Sequence, residues 1–125
     1  MDIQTCIKDF KLIANTQVDL NYFNSIAPLV FKNPADYTSV QSNIQFINQI
    51  GSTIFNYFNQ KDPASQKIWY QALGAGLGTA VADATKMIAV IPTDTQSGSD
   101  LISVLQEFIS DCQAIQKIIP VTEDK

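Results

Sequence analysis

Apolar residues recur along most of the chain at the three-to-four-residue spacing of an α-helix, with polar residues between them. No stretch shows the sustained two-residue alternation of a half-buried strand. The first segment extends to about Ile26, and Pro28 is expected to end it. Its apolar stripe contains Ile3, Cys6, Ile7, Phe10, Ile13 and Ala14. The pattern predicts an all-α protein with four helices.

Two pairs of residues have the chemistry of a helix start. Asn33 and Asp62 are each followed by proline, so the polar side chain can cap the helix and proline occupies a position where no donor is lost. The second helix is expected to bury Val40, Ile44, Ile47, Ile54 and Phe58. The third runs to Ile91, either continuously or with a break at its glycines. A polar turn over residues 92–98 then precedes a fourth helix.

The fourth helix is predicted to begin at a cap formed by Ser99 or Asp100 and to end at Pro120. Its buried face comprises Leu101, Leu105, Phe108, Ile109, Cys112 and Ile115. A chain of 125 residues suits one domain, and short connections favour an antiparallel four-helix bundle over residues 1–125. Residues 120–125 are expected to fray.

The two cysteines lie on apolar faces of the first and last predicted helices. In an antiparallel bundle Cys6 and Cys112 fall near the same pole, which favours a disulfide between them. Two buried free thiols are the alternative, since cysteine is a common core residue. A disulfide implies secretion or an organelle lumen, both of which are oxidising compartments.

The segments around these cysteines also carry a resemblance. Residues 6–9 read Cys-Ile-Lys-Asp and residues 110–115 read Ser-Asp-Cys-Gln-Ala-Ile. They resemble the ends of small secreted helical proteins of ciliates, an uncharacterised family. The resemblance covers the two termini and the helical pattern but not the middle of the chain. It implies secretion and a helical bundle and no known activity.

The residue types that are missing restrict the chemistry. The chain has no histidine and no arginine, and its net charge is −4. Without histidine it cannot build the usual histidine metal sites or a Ser-His-Asp triad. A negative surface without arginine disfavours nucleic acid and anionic membranes as partners. We therefore predict no enzyme, cofactor, metal site or membrane span. The first residues show no basic segment followed by an apolar run, so no signal peptide is recognisable.

Two features suggest a binding function. Three glycines within residues 74–78 indicate close helix packing or a helix break, room for a ligand, or a face for self-assembly. The second predicted helix also carries aromatic residues off its inner face, as expected of a helix that is apolar on two sides. The predicted ligand-lining residues are Phe46, Phe55, Phe58, Trp69, Leu73, Leu77 and Met87.

Two hypotheses follow for the function. The first is that the bundle binds a hydrophobic molecule, such as a lipid or a fatty acid, between its helices. The alternative is a structural module that assembles into homo-oligomers or filaments through an exposed apolar face. Asp83 is expected to form a surface ion pair with Lys86, three residues further along the same helix.

Overall fold

The computed structural model describes the backbone of residues 3–56 and 63–118 and, within these, the side chains of 11–50, 52, 64, 68 and 70–117. Over that part of the chain it is all-helical and has no strand. Four helices pack against one another, which confirms the predicted all-α bundle. Their bounds are α1 Ile3–Val30, α2 Thr38–Asn56, α3 Pro63–Val90 and α4 Gln96–Ile118. The predicted fraying of residues 120–125 concerns residues outside the described ones.

Pro28 does not end the first helix, contrary to the sequence prediction. Helix α1 continues through Pro28 to Val30, and the Phe31 amide donates to the Ala27 carbonyl at 2.9 Å. Pro28 lies in the last turn, so it removes one backbone hydrogen bond at a point where the helix is about to end. The carbonyl that loses its donor belongs to Asn24, an exposed residue that water can reach.

The predicted cap at Asn33 is present, but it starts a different element. The Asn33 side chain accepts a hydrogen bond from the Ala35 amide at 3.0 Å and begins a short 3₁₀ helix, Pro34–Asp36. Helix α2 begins only at Thr38, after Tyr37. The cap chemistry was therefore predicted correctly, and the start of α2 was placed about one turn too early.

Helix α4 begins before the predicted cap at Ser99 or Asp100. Thr95 caps it instead, because its Oγ1 accepts from the Gly98 amide at 3.0 Å and its carbonyl accepts from the Ser99 amide at 3.1 Å. Gly98 is buried, and a Cβ at this position would collide with the Pro92 carbonyl oxygen. The turn between α3 and α4 thus depends on the absence of a side chain at residue 98.

We expect Gly98→Ala to destabilise the protein by about 1–3 kcal/mol, because the obstructing atom is backbone and the turn must move to admit the methyl group. Gly78→Ala is the matched control. A Cβ at Gly78 meets no atom within 4 Å, so the better helix propensity of alanine should raise stability by up to about 1 kcal/mol. Urea unfolding of both variants measures the difference. Equal stability of the two variants would contradict the close approach at Gly98.

The helices form a ring in which each contacts two neighbours: α1 with α2 and α4, and α3 with the same two. Contacts along α1 and α2 show that these helices run in opposite directions. Near the end of α1, Gln41 donates to Asn24 at 2.7 Å; further back along α1, Asn48 donates to the Ile13 carbonyl at 3.1 Å. Asn48 also contacts the buried Thr16 hydroxyl at 3.3 Å, so polar atoms fix the register of this pair.

Helix α3 is continuous through its glycines and approaches α2 closely at one of them. A Cβ at Gly76 would lie 2.8 Å from Cδ2 of the Phe46 ring and 3.3 Å from Cδ1 of Ile47. Of the alternatives for the glycine run, close helix packing is therefore the one seen at Gly76. Seven residues further along α3, Asp83 accepts from Asn43 of α2 at 2.7 Å. This contact replaces the predicted ion pair of Asp83 with Lys86, which the structure does not form.

The core confirms most of the predicted buried positions whose side chains are described. Val40, Ile44 and Ile47 of α2 are buried, whereas Ala14 of α1, placed on the predicted inner stripe, is exposed. Of the six positions predicted to be buried in α4, Ile109 is only half-buried, and the other five are buried: Leu101, Leu105, Phe108, Cys112 and Ile115. Within the described part of the chain, none of the helices is long and apolar enough to cross a membrane.

Candidate functional site

The predicted ligand-lining residues are only partly described, and three of them belong to the core. Leu73, Leu77 and Met87 are buried and join the cluster that contains Phe23 and Phe108. Their side chains therefore fill the space between helices. Phe46 is 41% exposed and covers Gly76 of α3. The prediction for the remaining three concerns residues whose side chains lie outside the described ones: Phe55, Phe58 and Trp69.

The predicted disulfide is not seen: Cys112 is a free, buried cysteine, and the side chain of Cys6 lies outside the described ones. The register of α1 against α4 explains the result. Cys112 follows Asp111, whose carboxyl lies within hydrogen-bonding reach of Asp19 on α1. Cys6 precedes Asp19 by thirteen residues of the same helix, or about 20 Å along its axis. A disulfide needs Cα atoms within about 7 Å of each other.

A groove follows the contact between α1 and α4, and it consists of two clefts. The first, of about 440 Å³, is lined by Tyr22, Ile26, Asp100, Ser103, Val104 and Glu107. The second, of about 330 Å³, is lined by Asn15, Val18, Asp19, Glu107, Ser110 and Asp111. Both include Glu107, so they adjoin. We call these two clefts together the α1–α4 groove.

The helical register places different chemistry at the two ends of the α1–α4 groove. Tyr22, Ile26 and Val104 supply apolar surface in the first cleft. In the second cleft, Asp19 of α1 faces Glu107 and Asp111 of α4. No lysine is among the lining residues of either cleft. The first cleft is therefore the more apolar end of the groove, although Asp100 and Ser103 also line it, and the second cleft is the acidic end.

Asp19 is the most unusual side chain of the groove. It is only 4% exposed, and among the described residues its Oδ2 atom has no hydrogen-bond partner. Burial, together with the nearby carboxyls of Asp111 and Glu107, raises the pKa of Asp19 from 3.8 to about 8. The helix packed on the other side of α1 offers no compensation, because α2 contains no charged residue. Asp19 and Asp111 can share a proton when nothing else neutralises them.

Cys112 lies beside this carboxyl pair. Burial, together with the charges of Asp111 and Asp19, raises the pKa of its thiol to about 12. The thiolate is the reactive form of cysteine, so this buried thiol is poorly suited to be a nucleophile. The surroundings of Cys112 fit a structural core residue.

Exposed apolar side chains continue along α1 beside the groove. Val18, Tyr22 and Leu29 are 50%, 58% and 71% exposed, and their spacing of four and seven residues places them on one side of the helix. They cover about 16 Å of helix length. The side of α1 that borders the groove thus offers an elongated apolar surface.

No protein-family model, curated protein or solved structure matches this chain. The resemblance of its termini to secreted ciliate proteins stays a prediction, as does the secreted or lumenal location. Among the residues that the structure describes, no group of three or more cysteine, aspartate or glutamate side chains is placed to hold a metal ion.

Proposed function

We propose that this protein is a small-molecule binding protein whose ligand lays an apolar chain in the α1–α4 groove. The observation that carries the proposal is the pair of adjoining clefts, each of a volume typical of ligand pockets. Tyr22, Ile26 and Val104 line the first cleft, and Val18 lines the second. Binding removes apolar surface of both the ligand and the groove from water. The protein acts by reversible binding, without catalysis.

The proposal keeps the hydrophobic ligand predicted from the sequence and moves its position. Leu73 and Leu77, on the buried face of α3, are occupied by contacts with the core. By contrast, Tyr22 is 58% exposed and Val18 is 50% exposed, and both border the clefts, so their free surface is open to a ligand. An aliphatic chain can lie there without any rearrangement of the bundle.

We expect Tyr22→Ala to weaken the binding of decanol about fivefold to tenfold, because the loss of the ring removes roughly 1 kcal/mol of apolar contact. Isothermal titration calorimetry of the full chain, below the solubility limit of decanol, gives the dissociation constant. Val90→Ala is the matched control, since Val90 is 68% exposed and lines neither cleft of the groove. The control should bind decanol as the parent protein does. Equal losses in the two variants, or no decanol binding in the parent protein, would contradict the proposal.

Self-association through α1 is the second candidate, and the exposure of Leu29 favours it. Leu29 is 71% exposed and lines neither cleft, so a small ligand in the groove leaves it uncovered. A second copy of the chain can cover Leu29 and Tyr22 together. Sedimentation velocity over a hundredfold range of protein concentration separates the two functions. A dimer that Leu29→Ala disrupts and decanol leaves intact would favour assembly over ligand binding.

A further inference from the structure

The acidic end of the α1–α4 groove has an incomplete set of hydrogen bonds. Asp19 is more than nine-tenths buried, it lines the second cleft, and its Oδ2 atom lacks a partner among the described residues. Asp111 and Glu107 face it from α4 with further acceptors and no donor. A buried acceptor without a donor is costly, so the arrangement favours a proton or a positively charged group.

The part of the groove that adjoins these carboxyls carries apolar side chains beside Asp100 and Ser103. Glu107 belongs to both clefts. Val104, one helical turn away from it on α4, and Tyr22 on α1 supply the nearest apolar side chains of the first cleft. A divalent metal ion prefers a shell of oxygen ligands and gains nothing from such side chains. An ammonium group on an aliphatic chain matches both ends, because its three N–H donors meet carboxylates and its chain meets apolar side chains.

We infer that the groove binds an aliphatic primary amine, with the ammonium group between Asp19 and Asp111 and the chain along Tyr22, Ile26 and Val104. The inference rests on the proposed function and names the head group of the ligand. The ammonium donates to the carboxylate of Asp19 and takes the place of the proton that Asp19 and Asp111 otherwise share. Glu107 adds to the negative potential at the head group.

This exchange makes amine binding depend on pH. The groups that face Asp19 from α4 are Asp111, Glu107 and Cys112, and α2 presents no charged group. Because the pKa of Asp19 is about 8, the carboxyl is protonated at pH 6 and largely ionised at pH 9. An alkyl ammonium keeps its charge at both values, since the pKa of such a group is about 10.4. Amine affinity should therefore rise from pH 6 to pH 9.

Three ten-carbon probes with different head groups test the inference on the full chain. Decylamine, decanol and decanoate are titrated separately by calorimetry at pH 6 and pH 9, at equal ionic strength and below their aggregation limits. At pH 9 decylamine should bind about tenfold more tightly than decanol, and decanoate should bind least. At pH 6 the advantage of decylamine over decanol should largely disappear.

Matched variants separate the site from the general negative charge of the protein. Asp19→Asn and Asp111→Asn should each remove the preference for decylamine over decanol. Asp94→Asn removes one negative charge from the exposed connection between α3 and α4 and should keep the preference. A preference that survives Asp19→Asn, or one that Asp94→Asn abolishes equally, overturns the assignment of the ammonium site.

The other outcomes are also decisive. Equal binding of decylamine and decanol overturns the amine inference and leaves the proposed function standing, whereas no binding of any probe overturns both. Magnesium chloride is titrated into the protein without amine as a further arm. Magnesium binding that depends on Asp19 overturns the ammonium assignment in favour of a metal ion.

Discussion

Replacing Asp19 with asparagine should stabilise the protein by about 3 kcal/mol at alkaline pH and by only about 1 kcal/mol at pH 5. The pKa of Asp19 rises from 3.8 to about 8 on folding. Between these two pH values the folded chain keeps a proton that the unfolded chain has released. The stability of the parent protein therefore falls as the pH rises through this interval. Above pH 8 the full loss of stability caused by the ionised, buried Asp19 is present. The asparagine side chain carries no charge, and its amide can donate to Asp111 as the protonated acid does.

Urea unfolding at pH 5, 7 and 9 measures this effect. The cleft admits solvent, so the expected value lies below the full free-energy equivalent of the pKa shift. Asp94→Asn is the control, because Asp94 is exposed and its replacement should leave the pH dependence of stability as it is. A parent protein as stable at pH 9 as at pH 5 would contradict the burial of an ionisable group at residue 19.

Replacing Phe23 with alanine should have the largest effect on stability, a loss of about 3–5 kcal/mol. Phe23 is fully buried in α1, and its ring packs edge-on against Tyr37, with ring centroids 6.1 Å apart and an interplanar angle of 66°. The substitution creates a cavity and removes the contact that joins the end of α1 to the residue just before α2. The neighbouring variant Tyr22→Ala removes an exposed ring and should cost less than about 1 kcal/mol.

Thermal and urea unfolding of the two variants provide the comparison. The pair also tests the ligand proposal. Tyr22→Ala should keep the fold and weaken the binding of decanol, whereas the main effect of Phe23→Ala should be a loss of stability. Similar stabilities of the two variants would mean that α1 faces the core through a different set of residues.

The helices and the buried faces of α2 and α4 could be predicted from spacing alone. Val40, Ile44 and Ile47 recur at helical intervals, and the same holds for Leu101, Leu105 and Phe108; all six are buried. The ends of helices were harder to predict, because several neighbouring residues can cap the same helix. Thr95 binds the amide of Gly98 and starts α4 before Asp100 can cap it.

The register between helices was not accessible from the sequence. The predicted disulfide assumed that Cys6 and Cys112 lie at equal heights, but helix lengths do not determine how far one helix slides along another. The structure sets Asp111 opposite Asp19, a displacement of several turns from the predicted pairing. Hydrogen bonds such as Asn48 to the Ile13 carbonyl fix a comparable register between α1 and α2, and spacing within one helix does not reveal them.

Asp19 was missed by the sequence prediction although a signal exists. Buried positions of α1 include Ile13, Thr16, Leu20 and Phe23, and residue 19 falls on the same helical face. A carboxyl at core spacing is unusual enough to mark a candidate site. Asp83, predicted to pair with Lys86, instead accepts a hydrogen bond from Asn43 on the adjacent helix.

Whether an apolar ligand binds between α1 and α4, and not inside the core, is tested most directly by methyl NMR. Protein labelled at isoleucine, leucine and valine methyl groups is titrated with decanol. We predict concentration-dependent shift changes at Val18, Ile26 and Val104, with Leu73 and Leu77 unaffected. Shift changes centred on Leu73 and Leu77, or none at any of these methyl groups, would contradict binding in the α1–α4 groove.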